Sequence, residues 1–278
     1  MHPLHNQISS ALQNRQQLSV NDEWLNEFLN SRGPNPPPLP ALISTAQFRI
    51  LASDITTSLS PTSAGLFPGD VADVNVKTRQ LPGTVVVQVL DVLDVGSSKW
   101  SQVEAIERIE HGEEVRGREV IRTVDANGDE ERPDPTAAAV RHANVTGSTA
   151  TAASSTTNKK LTTGPHKLIV QDARGTKTLA FELEKIPKIG ISISASAASP
   201  AAHGDQAFRP SSQDDIGMYI GCKLVLKQGT VVRRGMVMLK PENCVVLGGK
   251  VEAWDAKWKQ ERKQTLNTLL AAEHNAGE

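Results

Sequence analysis

Residues 217–251, GMYIGCKLVLKQGTVVRRGMVMLKPENCVVLGGKV, contain the most informative pattern of the chain. Two runs of apolar and β-branched residues flank Arg233-Arg234-Gly235, which predicts two antiparallel strands joined by a tight turn. Gly229 lies inside the first strand, where the missing side chain indicates a bulge or a sharp bend. Pro241 interrupts the second strand, because proline cannot donate to a central ladder. Such a long, bent hairpin is typical of a small barrel that must close on itself.

Three further strands are predicted before this hairpin. The first, TVVVQVLDVLDV over residues 84–95, is rich in β-branched residues. The second and third strands, 166–172 and 176–186, flank Ala173-Arg174-Gly175, which predicts a hairpin turn. Five strands in this order predict an OB-like barrel.

Helices are predicted on both sides of the barrel. Residues 1–60 contain three short amphipathic segments, which need one another to bury their apolar faces and so predict a bundle. Residues 61–83 are rich in proline and glycine and predict a linker. The barrel is expected over residues 84–250 and a C-terminal helix over residues 251–272. The sequence therefore predicts an α+β fold, with an N-terminal three-helix bundle, a five-stranded OB-fold β-barrel with long insertions, and a C-terminal helix.

Two polar segments interrupt the predicted barrel. Residues from about 107 to 164 and from about 190 to 214 contain few large apolar side chains. Such segments cannot bury enough surface to offset the entropy of ordering the chain, so we expect both insertions to be disordered. Before the first insertion, the pattern Ser101-Gln102-Val103-Glu104 resembles a capping box and predicts a short helix.

Aromatic residues on the predicted helices allow two interpretations. Trp24 and Phe28 lie one turn apart, and so do Trp254 and Trp258. Core packing is the expected role of both pairs, because apolar side chains at this spacing form one face of a helix. A surface for a partner protein is the alternative for each pair.

The sequence contains no motif for catalysis, for a cofactor or for a metal. A glycine-rich phosphate loop, a nucleophile elbow and a His/Cys/Glu cluster are all missing. Asp91 and Asp94 are expected on opposite faces of a regular strand, so they cannot form an acid–base pair without a bulge. Cys222 and Cys244 are expected to be small buried thiols. We therefore expect a protein that is not an enzyme.

Membrane and secretion signals are equally absent from the sequence. No apolar run approaches the ~20 residues that span a bilayer. The first ten residues lack the basic start and the apolar centre of a signal peptide. The expected location is a reducing intracellular compartment, with no membrane partner.

The composition also bears on nucleic-acid binding. The formal net charge is −1, whereas a dedicated nucleic-acid-binding domain is usually strongly basic. OB-folds often stack bases on aromatic side chains, but the predicted strands offer only Phe181, whose alternation with polar neighbours predicts a core position. The cations that could support a weak DNA contact are Lys223, Lys227, Arg233 and Arg234, and a solvated face is the alternative for them. An autonomous single-stranded-DNA-binding protein is therefore the alternative function.

Two stretches resemble one known family. The run LKPENCVVLGGKVEAW, residues 239–254, resembles the end of the first barrel in the RecQ-mediated genome instability protein (Rmi) family. The run VLDVLDVGSSKWSQ, residues 89–102, resembles the first strand of that barrel. Members of this family are non-catalytic OB-fold subunits of a complex with topoisomerase III, a type IA enzyme, and a RecQ helicase.

The resemblance implies a function and a set of partners. It implies a nuclear subunit that binds topoisomerase III and, with a RecQ-family helicase, promotes decatenation and the dissolution of double Holliday junctions. It also implies that the insertion after the first strand approaches the DNA gate of the topoisomerase. A scaffold for some other partner is a further alternative.

The expected partner-binding residues lie in two segments. Lys240, Pro241, Glu242 and Asn243 match the KPEN signature of the family, and a turn that caps the last strand is the alternative role. The second segment is the root of the first insertion, from which Trp100, Val103 and Ile106 are expected to contact the topoisomerase.

Overall fold

The computed structural model describes residues 2–33, 36–61, 65–110, 164–191 and 217–276. Most of the two predicted insertions, residues 111–163 and 192–214, therefore lies outside the described residues. At the edges, the predicted insertion boundaries are wrong. Residues 107–110 continue a helix, and the buried Ile191 forms a parallel β-bridge with Met218, so both edges belong to the fold.

The N-terminal domain contains the three predicted helices and one additional turn. Its helices are α1 (His5–Gln16), α2 (Asp22–Asn30), α3 (Leu39–Leu51) and α4 (Ile55–Ser58). Asn21 caps α2, since its side chain accepts hydrogen bonds from the backbone N–H groups of Glu23 and Trp24. Asp54 caps α4 in the same way, through the N–H of Thr56, so the third apolar segment is split into two helices.

The barrel consists of one curled sheet. Its strands are β1 (Arg79–Gln80), β2 (Val85–Asp94), β3 (His166–Asp172), β4 (Lys177–Glu182), β5 (Lys223–Leu226), β6 (Val231–Arg233), β7 (Met236–Leu239) and β8 (Cys244–Gly248). Their order in the sheet is β1-β6-β7-β4-β3-β2-β5-β8. Neighbouring strands are antiparallel, except that β4 and β7 run parallel. Of the three strands beyond the five predicted, two arise because β5–β6 and β7–β8 are each one long strand with a break, and the third is β1.

The bent hairpin closes the barrel. β5 and β6 lie near opposite ends of the strand order, although only residues 227–230 separate them. The two ends of the sheet must therefore lie close together. Gly229 has a φ of 83° at the bend, which favours glycine, and the predicted bend is confirmed. The predicted break at Lys240–Asn243, between β7 and β8, is confirmed as well.

Two apolar cores stabilise the molecule. The barrel core contains Val87, Leu168, Leu224 and Val237, and Trp254 and Trp258 of the C-terminal helix pack against it. Their predicted packing role is confirmed.

The helical core is shared between the domains. It contains Leu12, Phe28 and Ile50, together with Val86 and Val225 from the barrel. The two domains therefore pack directly on one another.

Residues 61–83 are more than the predicted linker. Phe67, Val71 and Leu81 are buried in the barrel core, and Leu66 is buried in the helical core. Burial of these four apolar side chains fixes the segment on the fold, and the short strand β1 adds it to the sheet.

Lys223 connects the two domains at the end of α3. Its side chain is 0% exposed, and its Nζ donates to the backbone oxygens of Leu51 (3.1 Å), Ser53 (2.5 Å) and Gly221 (2.7 Å). Burial lowers the pKa of Lys223 to about 8, although the nearby carboxylate of Asp54 opposes this effect. The solvated role considered for Lys223 is therefore wrong, because its amine satisfies carbonyl groups that the end of a helix leaves unpaired.

Two helices flank the barrel on another side. The helix α5 (Lys99–Glu110) packs against α6 (Glu252–Ala276), which extends beyond the predicted residue 272. Ser98 caps α5, since its Oγ accepts a hydrogen bond from the N–H of Ser101, so the predicted cap at Ser101 is wrong by one turn. Among the described helices, none has the length and apolar character needed to cross a membrane.

Candidate partner-docking surface

The strand β4 faces the barrel in the opposite phase from the prediction. Thr178, Ala180 and Glu182 are buried, whereas Leu179 and Phe181 are half-buried on the outside. The reason lies in the partners of the inward residues. Thr178 Oγ1 donates to the backbone oxygen of Gly235, and Glu182 accepts three hydrogen bonds, so both polar side chains are satisfied inside.

The reversed phase creates an apolar surface on the outside of the sheet. β3 and β7 alternate in the same way, so Ile169, Met236 and Met238 also point outward. The register places Ile169 beside Leu179, Leu179 beside Met236, and Phe181 beside Met238. Leu183 follows β4 and is 51% exposed. We call this surface the outer face, comprising Ile169, Leu179, Phe181, Leu183, Met236 and Met238.

The KPEN signature forms a closed turn at one end of the outer face. Asn243 Oδ1 accepts a hydrogen bond from the N–H of Lys240 (2.9 Å), and its Nδ2 donates to the backbone oxygen of Met238 (3.0 Å). The N–H of Cys244 donates to the backbone oxygen of Lys240. Asn243 thus holds the turn that was considered as its alternative role, and Pro241 and Glu242 are exposed at its tip.

Lys240 lies between the turn and β4. Its Nζ is 2.9 Å from Glu184 Oε1 and 3.8 Å from Glu242 Oε1. The hydrogen bond from Lys240 to Glu184 raises the pKa of Lys240, so this side chain is a cation at neutral pH. The ammonium group is partly exposed and can contact a carboxylate of a partner.

The second predicted segment lies along the same barrel end. Asp94 pairs with His166, His166 lies beside Glu182, and Glu182 pairs with Leu239. These four residues form a row across β2, β3, β4 and β7, which we call the insertion rim. Three strand spacings of ~4.8 Å give a width of ~14 Å, so the root of α5 and the KPEN turn lie on one rim.

The three predicted α5 residues differ in their exposure. Trp100 is 68% exposed and Ile106 is half-buried, so both are accessible to a partner. Val103 is only 6% exposed, so its side chain is buried within the fold and is the least accessible of the three. The two segments pack on different neighbours. The helix α5 packs on α6, whereas Lys240 of the KPEN turn bonds to Glu184, just after β4.

A buried contact between His166 and Glu182 supports the insertion rim. His166 Nδ1 lies 2.6 Å from Glu182 Oε2, and each side chain is 2% exposed. Burial would raise the pKa of Glu182, but hydrogen bonds from His166 and from the N–H of Ile186 outweigh it and lower the pKa below its ordinary value. Glu182 is therefore a carboxylate that stabilises the strand ends from which the insertion leaves and to which it returns.

The remaining polar residues have structural partners. Asp91 accepts a hydrogen bond from Trp258 Nε1 (2.6 Å), and Asp94 accepts one from the N–H of Gly96. Burial raises the pKa of the thiols of Cys222 and Cys244 to about 12, which keeps both protonated. No group of three potential metal ligands occurs within the described ranges. This end thus presents apolar contact area bordered by charged side chains such as Lys240 and Glu242, a combination that suits binding of a protein.

The outer face was missed by sequence reasoning. Apolar residues at Leu179, Phe181 and Leu183 outweighed their small and polar neighbours in the prediction. Ala180 was the useful signal, because a narrow barrel interior accepts alanine more readily than phenylalanine. The methionines 236 and 238, alternating with Val237 and Leu239, offered no signal that separates the two faces.

Comparison with known families places both domains. The model of the RMI1 N-terminal OB-fold domain matches residues 67–196 and 209–262, and the model of the RMI1 N-terminal helical domain matches residues 12–58. The first of these models begins inside the segment 61–83, in agreement with the burial of Phe67 in the barrel core.

Curated relatives agree with these matches. The chain is 29% identical over 252 residues to RecQ-mediated genome instability protein 1 of Schizosaccharomyces pombe, and the match covers 88% of each chain. It is 44% identical over 69 residues to the protein of the same name from Xenopus laevis, covering 24% of this chain and 12% of the relative. With its helical domain followed by a curled OB-fold sheet, the chain belongs to the RMI1 family.

Proposed function

We propose that this chain is a non-catalytic nuclear subunit that binds topoisomerase III and acts with a RecQ-family helicase. The proposed complex decatenates DNA and dissolves double Holliday junctions, and so supports genome stability. Membership of the RMI1 family and the name of the curated relatives support a role in RecQ-mediated genome stability. The topoisomerase and the helicase enter as the partners that the family resemblance implies.

The outer face is the observation that carries the proposal. Six apolar side chains on adjacent strands form a contiguous surface that no other described element covers as a core. Contiguous apolar surfaces of this kind mark protein–protein interfaces. Methionine and phenylalanine are also enriched where proteins bind one another. We assign this face to the topoisomerase because it adjoins both segments that resemble the family.

The residues of the KPEN turn and of α5 have distinct proposed roles. Lys240 contributes a cation at the border of the interface, and Pro241 and Glu242 contact the partner from the tip of the turn. Asn243 acts indirectly, by holding the turn in shape. Trp100 and Ile106 extend the contact along α5, where the insertion of residues 111–163 begins.

Autonomous binding of single-stranded DNA is the weaker candidate. The outward position of Phe181 favours it, because OB-folds stack bases on exposed aromatic residues. Phe181 is, however, the one aromatic residue of the outer face, and its register neighbours Lys167 and Met238 provide one cation and no second ring. A single stacking site surrounded by aliphatic side chains favours a protein partner.

The substitution Leu183→Asp tests the proposal. Leu183 is half exposed and contributes to neither core, so a charge there should leave the fold intact. Burying an unpaired aspartate in the interface, however, should cost binding free energy. We expect at least a roughly tenfold loss of affinity for topoisomerase III in pull-down and titration experiments. Phe48→Asp is the matched control, since Phe48 is 71% exposed on α3 of the helical domain. Equal affinity of wild type and Leu183→Asp would contradict the assignment of the outer face.

A further inference from the structure

The barrel end opposite the insertion rim carries a cluster of exposed cations. It comprises Lys77, Arg174, Lys177, Arg233 and Arg234, and we call it the basic end. Arg174 lies in the turn between β3 and β4, and Arg234 lies in the turn between β6 and β7. These turns occur at the end of the strands that is farthest from Asp94, Glu182 and Leu239.

The register brings these side chains together. Leu179 pairs with Met236 in the parallel strands β4 and β7, so Lys177 lies opposite Arg234, two residues earlier on each side. The N–H of Arg234 donates to the backbone oxygen of Val76 (3.1 Å), which places Lys77 beside this turn. Neighbouring strands are ~4.8 Å apart, so cations on adjacent strands of the basic end lie close to one another.

The backbone of the basic end is rigid. Arg234 has a φ of 48° and Gly235 one of 74°, which are the values of a tight hairpin turn. A Cβ atom on Gly235 would lie 2.4 Å from the backbone oxygen of Ala72, so the turn packs tightly against the preceding segment. Thr178 Oγ1 donates to Gly235 O on the other side. The backbone positions that carry the cations near this turn are therefore set by the fold.

These charges are not neutralised within the described part of the chain. None of the five cations has a carboxylate within ion-pair distance there. Lys99, Lys240, Lys250, Lys257, Lys259 and Lys263, in contrast, each have at least one. Acidic residues near the basic end are already engaged. Asp70 pairs with Arg79, and Asp172 is buried and accepts hydrogen bonds from Phe67, Arg174 and Thr176.

We propose that the basic end binds the phosphate backbone of duplex DNA without reading its bases. Clustered, exposed and unpaired cations fit a regular polyanion. No aromatic side chain belongs to the basic end, so the stacking on which single-strand binding relies is missing there. The inference goes beyond the proposed function and does not depend on it, because exposed cations without ion-pair partners carry it rather than the apolar outer face. The basic end adjoins the outer face, since Arg233 pairs with Met236.

The test measures binding of a fluorescent 30-base-pair duplex by the full-length chain over a range of salt concentrations. The triple variant Arg174→Gln/Lys177→Gln/Arg233→Gln leaves Arg234, with its left-handed backbone, untouched. Loss of three phosphate contacts should weaken binding roughly tenfold or more at physiological salt. It should also reduce the slope of log K against log salt by about 2 to 3. Thermal unfolding confirms that the variant is folded.

A control variant removes the same charge elsewhere. Arg15→Gln/Lys185→Gln/Lys188→Gln replaces three exposed cations outside the basic end and should bind the duplex like wild type. Equal weakening by both triple variants, or no weakening by either, would overturn the proposal. A 30-nucleotide oligo(dT) serves as the single-stranded comparison. If wild type binds it as tightly as the duplex, and the basic-end variant weakens both to the same extent, the assignment to duplex DNA is overturned. Binding of an acidic peptide but no DNA would assign the surface to a protein. Since topoisomerase is absent, failure here leaves the docking proposal standing.

Discussion

Lys223 shows how one buried residue joins two domains. Its amine donates to three backbone oxygens, two of them where α3 ends, and the neighbouring Gln88 bonds to Asp54 and to the N–H of Ile55. The carbonyl groups at the end of a helix need donors, and here the barrel supplies one. A lysine between hydrophobic neighbours on a predicted strand gives no sign of this role, because its partners are backbone atoms from a segment about 170 residues away.

The ionisation of Lys223 predicts a pH dependence of stability. The folded-state pKa of about 8 lies below the ordinary value of 10.5, so the folded protein loses this proton first. Between pH 8 and pH 10.5 the unfolded state binds more protons, and the free energy of unfolding rises with pH. The pKa difference sets an upper limit of about 3 kcal/mol. Chemical denaturation of wild type and Lys223→Met across this range should show the rise only in wild type. A parallel pH dependence of both proteins would contradict the prediction.

At the scale of elements, the positions of the strands along the sequence were predictable. Which side chains of each strand point into the barrel was predictable only in part. The bent hairpin, the turn at Arg234 and the break at Pro241 follow from local backbone chemistry, which sequence displays directly. The facing of β4 depends instead on what fills a narrow barrel. Glu182 points inward because His166 and Ile186 satisfy it, and these partners are brought together only by the fold.

Arg262 holds α5 and α6 to the barrel, so its substitution should lower the stability of the protein. Its Nη1 donates to the backbone oxygen of Val92 and its Nη2 to Gln102 Oε1, each at 3.0 Å. Burial lowers the pKa of Arg262 to about 10, against the opposing effect of Asp91 and Asp94, so the group stays charged. Arg262→Met should lower the free energy of unfolding by about 2 kcal/mol, because the acceptors lose a charged donor.

The comparison for this prediction is a lysine on the same helix. Lys257 is exposed, so Lys257→Met should change the free energy of unfolding by less than about 0.5 kcal/mol. Urea denaturation of the three proteins measures both values. If Arg262→Met unfolds at the same urea concentration as wild type, the anchoring role of Arg262 is wrong.

At the scale of the whole molecule, the helical domain and the barrel share a core. Val86, Ala173 and Val225 pack among the helices, and Leu66 joins them from the connecting segment. The order of elements and the family resemblance could be predicted from sequence. The shared core could not, because it needs apolar residues on the outer side of strands that alternate between two buried faces. The same limitation hid the outer face and left the docking surface partly assigned.

Truncation after residue 190 tests this unity. Such a fragment keeps the helical domain but lacks β5 to β8, and with them Val225 from the helical core and Leu224 from the barrel core. We expect it to show no cooperative unfolding transition in calorimetry, whereas the full chain unfolds in one step. A fragment that melts cooperatively would show that the helical domain folds independently.

The bent hairpin also has a consequence for folding during synthesis on the ribosome. Its strands are synthesised after β2, β3 and β4, yet β5 pairs with β2, which leaves the ribosome more than a hundred residues earlier. Until then β2 has an open hydrogen-bonding edge, and Val85 and Val87 lack their partners Leu226 and Leu224. In the nascent chain, one edge of β2 therefore stays unpaired until β5 has been synthesised. Its yield in the cell depends on how well that interval is protected from aggregation.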